Sequence, residues 1–556
     1  MGTGYLEGAT PYPAEVIREY VAGGWWRNLT YGDLLDRATD RSPDRLAVID
    51  EWGSLTYAGL KEKVDRFAFA LIEMGIKKYD RILIQLPNRL EFLIVYYAAH
   101  RIGAVPVLAV SRHEYSEISH FVKLFQPKVW VVARSEGSRE FLPLVEKIRL
   151  EAEGLTHVIM PEPAWELPAE VLSMQGIIDA AKLSKYPADF LAQFRPDPND
   201  VAVLFPTGGT TGIPKGVPRT HNSFLTNVRY TNEDTLPDDV AGLPTPIGHT
   251  MAHQGAVGKA IMFGITLVLI AIPRAPAILQ AIERHRITWI ALVPTQLEDI
   301  LNEPSLERYD LSSLQSVQTT GAALRPETAK RGHEFFGRLG AQFFGSAFGS
   351  TEGPCAKHVP GESPEVFRTS IGRPMCAGDR WKAIDDDERE LPPNTEGELC
   401  AKGPCVFTGY YKSDSENRAV FTRDGYYKMG DVGKIDEQAH IFITGRKKDI
   451  IQRGGEGIIP AEIENLLCQH PGVEQAAVVG MPDPRLGERA CAYVVLKLGE
   501  RLRFDEMAAF LKSLGAGVLL LPERLELVNM LPMTPAEKVD KKALRADIAM
   551  KLKKEA

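Results

Sequence analysis

The run Thr207-Gly208-Gly209-Thr210-Thr211-Gly212-Ile213-Pro214-Lys215-Gly216 holds the residue types of a phosphate-binding loop. Glycines let backbone N–H groups approach a phosphate closely, and threonine hydroxyls add donors and, at Thr211, a possible metal contact. Lys215 supplies a positive charge. A Walker loop needs a glycine directly before the lysine and Ser or Thr after it. Pro214 and Gly216 occupy those places, so the chemistry is that of another kind of phosphate loop. The competing reading is a polar surface loop rich in turn formers. The apolar run 201–205 predicts a buried strand that delivers the loop at its end.

The elements that position this loop follow from apolar periodicity. Between about residues 46 and 200, apolar runs at 82–86, 104–110 and 129–132 alternate with amphipathic stretches such as 57–74. That alternation predicts βα units on a largely parallel sheet, and a second series runs from 201 to about 372. Residues 381–434 differ, with short apolar runs and many turn formers, and predict a small β-barrel or distorted sheet. A boundary is expected at Gly445-Arg446-Lys447-Lys448-Asp449, dividing residues 1–445 from a small α/β domain at 446–556. A charged turn within a single domain is the alternative there.

Composition narrows the classes of partner. With 65 Lys and Arg against 73 Asp and Glu, the net charge is −8 and no basic stripe is present, so nucleic acid is not expected. Six cysteines form no C-x-x-C pair and suggest buried, reduced thiols of a cytoplasmic protein. The apolar stretch 260–273, flanked by Lys259 and Arg274, is too short to span a bilayer and predicts a helix running into a buried strand. No membrane span is expected.

In its order of residues the loop resembles that of the adenylate-forming (acyl-CoA synthetase and luciferase) superfamily, and the resemblance extends over nearly the whole chain. Gly321-Ala322-Ala323 is similar to the loop lying along the adenine. Phe348-Gly349-Ser350-Thr351-Glu352 resembles the aromatic-Gly-x-Thr-Glu motif. The resemblance implies an aromatic ring on the purine, Thr351 on the α-phosphate and Glu352 on Mg²⁺, whose preference is for hard oxygen ligands. Tyr427-Lys428-Met429-Gly430-Asp431 resembles the motif whose aspartate accepts both ribose hydroxyls, with Arg446 joining it and Gln452 at a polar nucleotide contact. Residues 531–539 resemble the segment bearing the catalytic lysine. Lys538 would then bridge the carboxylate oxygen and the α-phosphate where charge develops. Lys448 matches the hinge about which the small domain of the family rotates, and Gly454 and Gly455 a coenzyme A contact.

Two positions depart from the family pattern. Glu537 replaces the glycine usual before the lysine, and Gly457 stands where relatives often carry a basic or amide side chain. A carboxylate beside the catalytic ammonium can pair with it or raise its pKa.

Within the superfamily the resemblance is to the 2,3-dihydroxybenzoate–AMP ligase branch, carried by residues 20–26, Pro218-Arg219-Thr220-His221-Asn222, Gly409-Tyr410-Tyr411-Lys412 and Asp540-Lys541-Lys542. In that branch a His-Asn pair lines the acid pocket, its asparagine serving a ring hydroxyl. Here the pair is His249-Thr250, with His253 four residues beyond the histidine. Those two histidines lack the glutamate that a zincin pair requires. Loss of the hydroxyl-reading amide points to another cyclic acid, such as benzoate or a cyclohexane- or cyclohexene-carboxylate. The expected reaction uses ATP, Mg²⁺ and coenzyme A to convert such an acid into a thioester. An aryl-AMP ligase loading a carrier protein is the alternative. A luciferase-like oxidative enzyme and a non-catalytic nucleotide-binding protein share the fold.

Overall fold

The computed structural model describes residues 4–187, 189–207, 214–321, 324, 326–359, 362–453, 456–534 and 538–555. The chain divides into two units, residues 1–380 with 401–427, and residues 381–400 with 428–556. This division differs from one at 445/446 because the sheet built from residues 380–446 groups mainly with the smaller unit.

Two large sheets dominate the first unit. A seven-stranded sheet runs in the order Lys215–Thr220, Val201–Thr207, Val105–Leu108, Arg81–Gln85, Val129–Val132, His157–Met160, Leu172–Ser173. Its inner pairs are parallel. Val105–Leu108 and Val129–Val132 are buried at every position, as expected where helices cover both faces of a parallel sheet. The core on it includes Phe121, Phe125, Trp130 and Ile148.

A nine-stranded sheet follows the order Arg373–Pro374, Cys355–Lys357, Gln342–Gly349, Ser316–Thr320, Trp289–Leu292, Val240–Leu243, Thr266–Leu269, Leu46–Ile49, Ser54–Thr56. From Gln342–Gly349 to Leu46–Ile49 its pairs are parallel. Residues 260–273 behave as predicted. The helix Gly258–Phe263 ends on Gly264 at φ +71°, and the buried strand Thr266–Leu269 follows. No helix among the described residues is long and apolar enough to cross a membrane.

Residues 381–446 form most of a four-stranded sheet, Arg380–Ile384, Gly397–Lys402, Tyr427–Ile435 and Ile441–Arg446. The rest of the smaller unit centres on the antiparallel hairpin Val473–Asp483 with Gly487–Leu496. Its alternation splits the core in two. Val478, Ala492 and Val494 face a cluster with Ile463 and Leu511, while Ala477, Val479, Cys491 and Tyr493 face Leu544 and Ile548. Helices Pro460–Leu467 and Phe504–Ser513 therefore cover one face and Lys541–Glu555 the other.

Candidate active site

Three of the motifs lie at carboxyl ends of parallel strands of the larger sheet. Gly321 follows Ser316–Thr320, Phe348 and Gly349 close Gln342–Gly349, and the His249-Thr250 turn follows Val240–Leu243. Ligands of open α/β sheets bind outside those ends. The loop of residues 208–213 is outside the described residues, so Gly208, Gly209, Thr210 and Thr211 have no place in this geometry. Ala322, Ala323, Gly454, Gly455 and Glu537 also fall outside them. The flanks of the loop are described. Thr207 and Lys215 are direct partners across an antiparallel pair, and the second strand, Lys215–Thr220, is an edge strand that tolerates Pro218.

Lys215 is held in place. Its Nζ lies 3.1 Å from Glu416 Oε1 and 4.7 Å from the centre of the Tyr410 ring, with a side chain only 12% exposed. The Tyr410 hydroxyl donates to Glu352 Oε1 at 2.8 Å and lies 3.2 Å from the Tyr427 hydroxyl. Burial and the neighbouring Glu352 charge push the Tyr410 phenol above its ordinary range, so it stays a donor. Cation, phenol and carboxylate thus adjoin one another in the larger unit.

The Thr351-Glu352-Gly353 turn is fixed from beneath. Arg219, 1% exposed, donates to the Thr351 carbonyl at 2.9 Å, the Cys405 carbonyl at 2.7 Å and Asn227 Oδ1 at 2.5 Å. Asn227 Nδ2 donates to the Gly353 carbonyl at 2.9 Å, and the Phe407 amide donates to the Glu352 carbonyl at 2.7 Å. Gly353 has φ +125°, and a Cβ there would stand 1.9 Å from the Cys405 oxygen. Only glycine fits this close approach. Arg219 and Tyr410 fell within stretches marked by the branch resemblance, yet nothing in their spacing placed them at the site. Glu416 and Asn227 carried no signal in the sequence.

At the His249-Thr250 turn, Thr250 Oγ1 lies 3.2 Å from Thr351 Oγ1 as its donor. His249 Nδ1 accepts from the Met251 amide at 3.3 Å, and Gly321, at φ +91°, has Met251 Sδ within 3.8 Å of its Cβ position. His253 is set apart. Its ring is fully buried among Phe92, Tyr96 and Phe205, and burial pushes its pKa down to about 3. It starts a π-helical turn, His253–Val257, that faces the core.

Glu352 and the neighbouring Thr351 hydroxyl form a small set of hard oxygen donors, which suits Mg²⁺ because that ion keeps several waters and substrate oxygens. Among the described residues one group brings metal-ligand types together, namely Cys376, Asp379 and Cys405, whose ligand atoms lie within 4.8 Å of one another. Burial pushes the Asp379 carboxyl up to about 7 and the Cys405 thiol well above its usual value. Asp379 Oδ1 accepts from the Cys405 amide at 3.1 Å, so the group braces the chain on which Arg219 rests.

In the smaller unit, Asp431 and Arg446 are direct partners across antiparallel strands, with Nε 2.7 Å from Oδ1. Asp431 is buried and Arg446 half exposed. Gln452 is exposed on Ile451–Arg453, and its amide donates to Glu488 Oε2 at 2.9 Å. Lys448 is exposed in the turn Lys447–Asp449, beside the Arg545–Asp449 pair at 2.8 Å. Lys538 is exposed, and its segment closes through the Thr534 amide donating to the Lys538 carbonyl at 2.7 Å.

The chain matches the AMP-binding enzyme family over residues 35–411 and the AMP-binding enzyme C-terminal domain over residues 462–538. It is 34% identical over 553 residues to a 2,3-dihydroxybenzoate-AMP ligase of Bacillus subtilis, covering 98% of this chain and 99% of the relative. It is 34% identical over 555 residues to a salicyl-AMP ligase / salicyl-S-ArCP synthetase of Mycobacterium tuberculosis, covering 97% and 94%. The apo structure of MbtA from Mycobacterium smegmatis superposes with a TM-score of 0.72 at 32% identity, covering 98% of this chain and all of the other.

These relatives correct the expected transfer to coenzyme A: they are aryl-AMP ligases, one named for forming an aryl carrier-protein thioester. The physical reason is plain. The expectation rested on Thr250 in place of an amide, a contact at the acid end that carries no information about the thiol. The match to both family domains, with aryl-AMP ligases 34% identical over nearly the full chain, makes this protein a member of the adenylate-forming AMP-binding enzyme family, related to its 2,3-dihydroxybenzoate–AMP ligase branch.

Proposed function

We propose that the enzyme activates an aryl carboxylic acid with ATP and passes the acyl group to the pantetheine thiol of a carrier protein. The observation that carries this reading is the Thr250–Thr351 hydrogen bond of 3.2 Å, which joins the acid-facing turn to the nucleotide-facing turn. In the first step a carboxylate oxygen attacks the α-phosphorus and the bond to the β-phosphate breaks, releasing pyrophosphate. Thr351 contacts the α-phosphate, and Glu352, oriented by Tyr410, would hold Mg²⁺, which when bound would neutralise charge on the phosphate oxygens. Asp431 and Arg446 hold the ribose. Lys538 stabilises the charge developing between carboxylate and phosphate. In the second step the thiol attacks the carbonyl carbon and AMP departs, a far better leaving group than oxide. Rotation about Lys448 between the steps removes Lys538 and admits the thiol. The division of labour at 445/446 belongs to this proposal.

The test is acid-dependent exchange of labelled pyrophosphate into ATP across aryl acids and cyclohexanecarboxylate. It is followed by thioester formation with phosphopantetheinylated carrier protein or with free coenzyme A. Aryl acids should lead, and the carrier protein should be acylated. Faster thioester formation on coenzyme A would overturn the second half of the proposal, and absence of exchange with every acid the first.

A further inference from the structure

A cavity of about 150 Å³ lies in the larger unit between the amino-terminal segment and the helix His221–Thr231. Its apolar floor is Trp25, Leu34, Leu225 and Met262. Four arginines, Arg27, Arg37, Arg41 and Arg229, also line it. Arg229 donates to the Gly24 carbonyl at 3.2 Å and the Tyr230 hydroxyl at 2.6 Å, and Arg41 to the Phe263 carbonyl at 3.2 Å. Among the described residues, no ion pair engages any of the four, and no carboxylate lines the cavity. Of the three acids on the helix Tyr31–Arg41, Asp33 pairs with Arg195 at 2.6 Å and Asp36 with Arg101, and the exposed Asp40 enters none of the ion pairs among the described residues. In a chain of net charge −8, four unneutralised arginines round one apolar pit are a local inversion of charge.

We infer that this cavity binds a monocyclic aryl anion, its ring on the Trp25 and Leu225 floor and its anionic group against the arginine rim. An apolar cavity of about 150 Å³ takes up one benzene-sized ring. Guanidinium groups pair with carboxylate, sulfonate or phosphate oxygens in forked hydrogen bonds. The chemistry is shared by the aryl acids of the proposed reaction and by other ring-bearing anions. The site is distinct from the one that performs the reaction. Asn222, Leu225, Thr226 and Arg229 line it from one stripe of the helix, whereas Asn227 of the same helix serves the Gly353 turn.

Calorimetric titration with benzenesulfonate of the full-length enzyme and its R27A/R37A variant tests this. Both substituted side chains are exposed, so the melting temperature and pyrophosphate exchange should be unchanged. The expected result is a saturable component in the wild type that is at least tenfold weaker in the variant. Methanesulfonate, with no ring, and benzyl alcohol, with no charge, should each bind at least tenfold more weakly than benzenesulfonate. Superimposable isotherms for the two proteins, or equal binding of either half-ligand, would overturn the inference. Displacement of benzenesulfonate by salicylate identifies the substrate acids as occupants, and failure of displacement identifies a ring anion outside the reaction.

Discussion

Gly353→Ala puts one methyl group where the structure leaves no room. The built Cβ stands 1.9 Å from the Cys405 oxygen, 2.7 Å from its carbon and 2.8 Å from Val406 Cα. Close carbon–oxygen contacts across backbones lie near ~3.3 Å, so the two segments must part by more than about 1 Å. Neither can yield cheaply. Arg219 holds the Cys405 carbonyl at 2.7 Å and the Thr351 carbonyl at 2.9 Å, and Asn227 holds that of Gly353 at 2.9 Å. A non-glycine residue in such a conformation costs ~1–3 kcal/mol before the clash is counted. Displacing catalytic groups by ~1 Å commonly costs ~10²-fold in rate. Acid-dependent pyrophosphate exchange should therefore fall about 100-fold while circular dichroism remains native. The control is Gly337→Ala, in the helix Pro326–Arg338 with nothing within 4 Å of the new methyl, which should keep full activity. A Gly353→Ala enzyme exchanging at nearly the wild-type rate would refute the reasoning.

Tyr410→Phe removes the donor to Glu352 without changing packing; hydrogen bonds to charged groups contribute ~1.5–3 kcal/mol, so the urea midpoint should drop and more Mg²⁺ should be needed for half-maximal exchange. An unchanged Mg²⁺ requirement would count against the orienting role of the phenol. The Asp379 carboxyl titrates at about 7 when folded and near ~3.9 when unfolded, so the folded state binds more protons between those values. Its stabilising contribution is complete below the lower value and is lost as pH rises through the higher one. Asp379→Asn should thus gain stability relative to wild type between pH 5 and 8 in urea titrations, and a pH-independent difference would contradict it. Lys538→Ala should slow adenylation by ~10²-fold or more yet spare transfer from pre-formed aryl-adenylate to carrier protein, measured by thioester mass. Equal loss in both half-reactions would argue for a structural lysine.

Much of the scaffold was legible because parallel strands buried on both faces leave continuous apolar runs. The run 129–132 corresponds to Val129–Val132 without a shift, and residues 504–514, whose pattern reads as a helix, fold as the helix Phe504–Ser513. Runs ended early where a strand outlasts its buried core. The apolar runs 475–479 and 490–496 read as two strands, and the hairpin they form extends to Asp483 and from Gly487 because ladder hydrogen bonds continue through polar residues. Lys215–Thr220 was missed as a strand since Pro218 and Arg219 speak against one; an edge position and a partner for the guanidinium remove both objections. At the site, motifs named Thr351 and Glu352, but the residues that hold them were invisible. Arg219, Asn227 and Tyr410 act through contacts across 132, 126 and 58 positions, and no local pattern encodes such distances. His253 illustrates the converse. Its place four residues after His249 is the spacing of a zinc pair, whereas the fold turns its ring into an aromatic core.

The interleaving of the two units has a consequence for the order of synthesis. Strand Gly397–Lys402 lies between Arg380–Ile384, made before it, and Tyr427–Ile435, which starts 25 positions after Lys402. On the ribosome its second edge stays open while the segment bearing Tyr410 and Glu416 is made. An open edge carrying buried-type residues such as Leu399 and Cys400 is a template for association with other chains. A fragment ending at residue 427 would hold every described residue of the larger unit and still display that edge. Dissection of the enzyme into separately produced parts should therefore carry the amino-terminal piece through Arg446, so that both remaining strands travel with it.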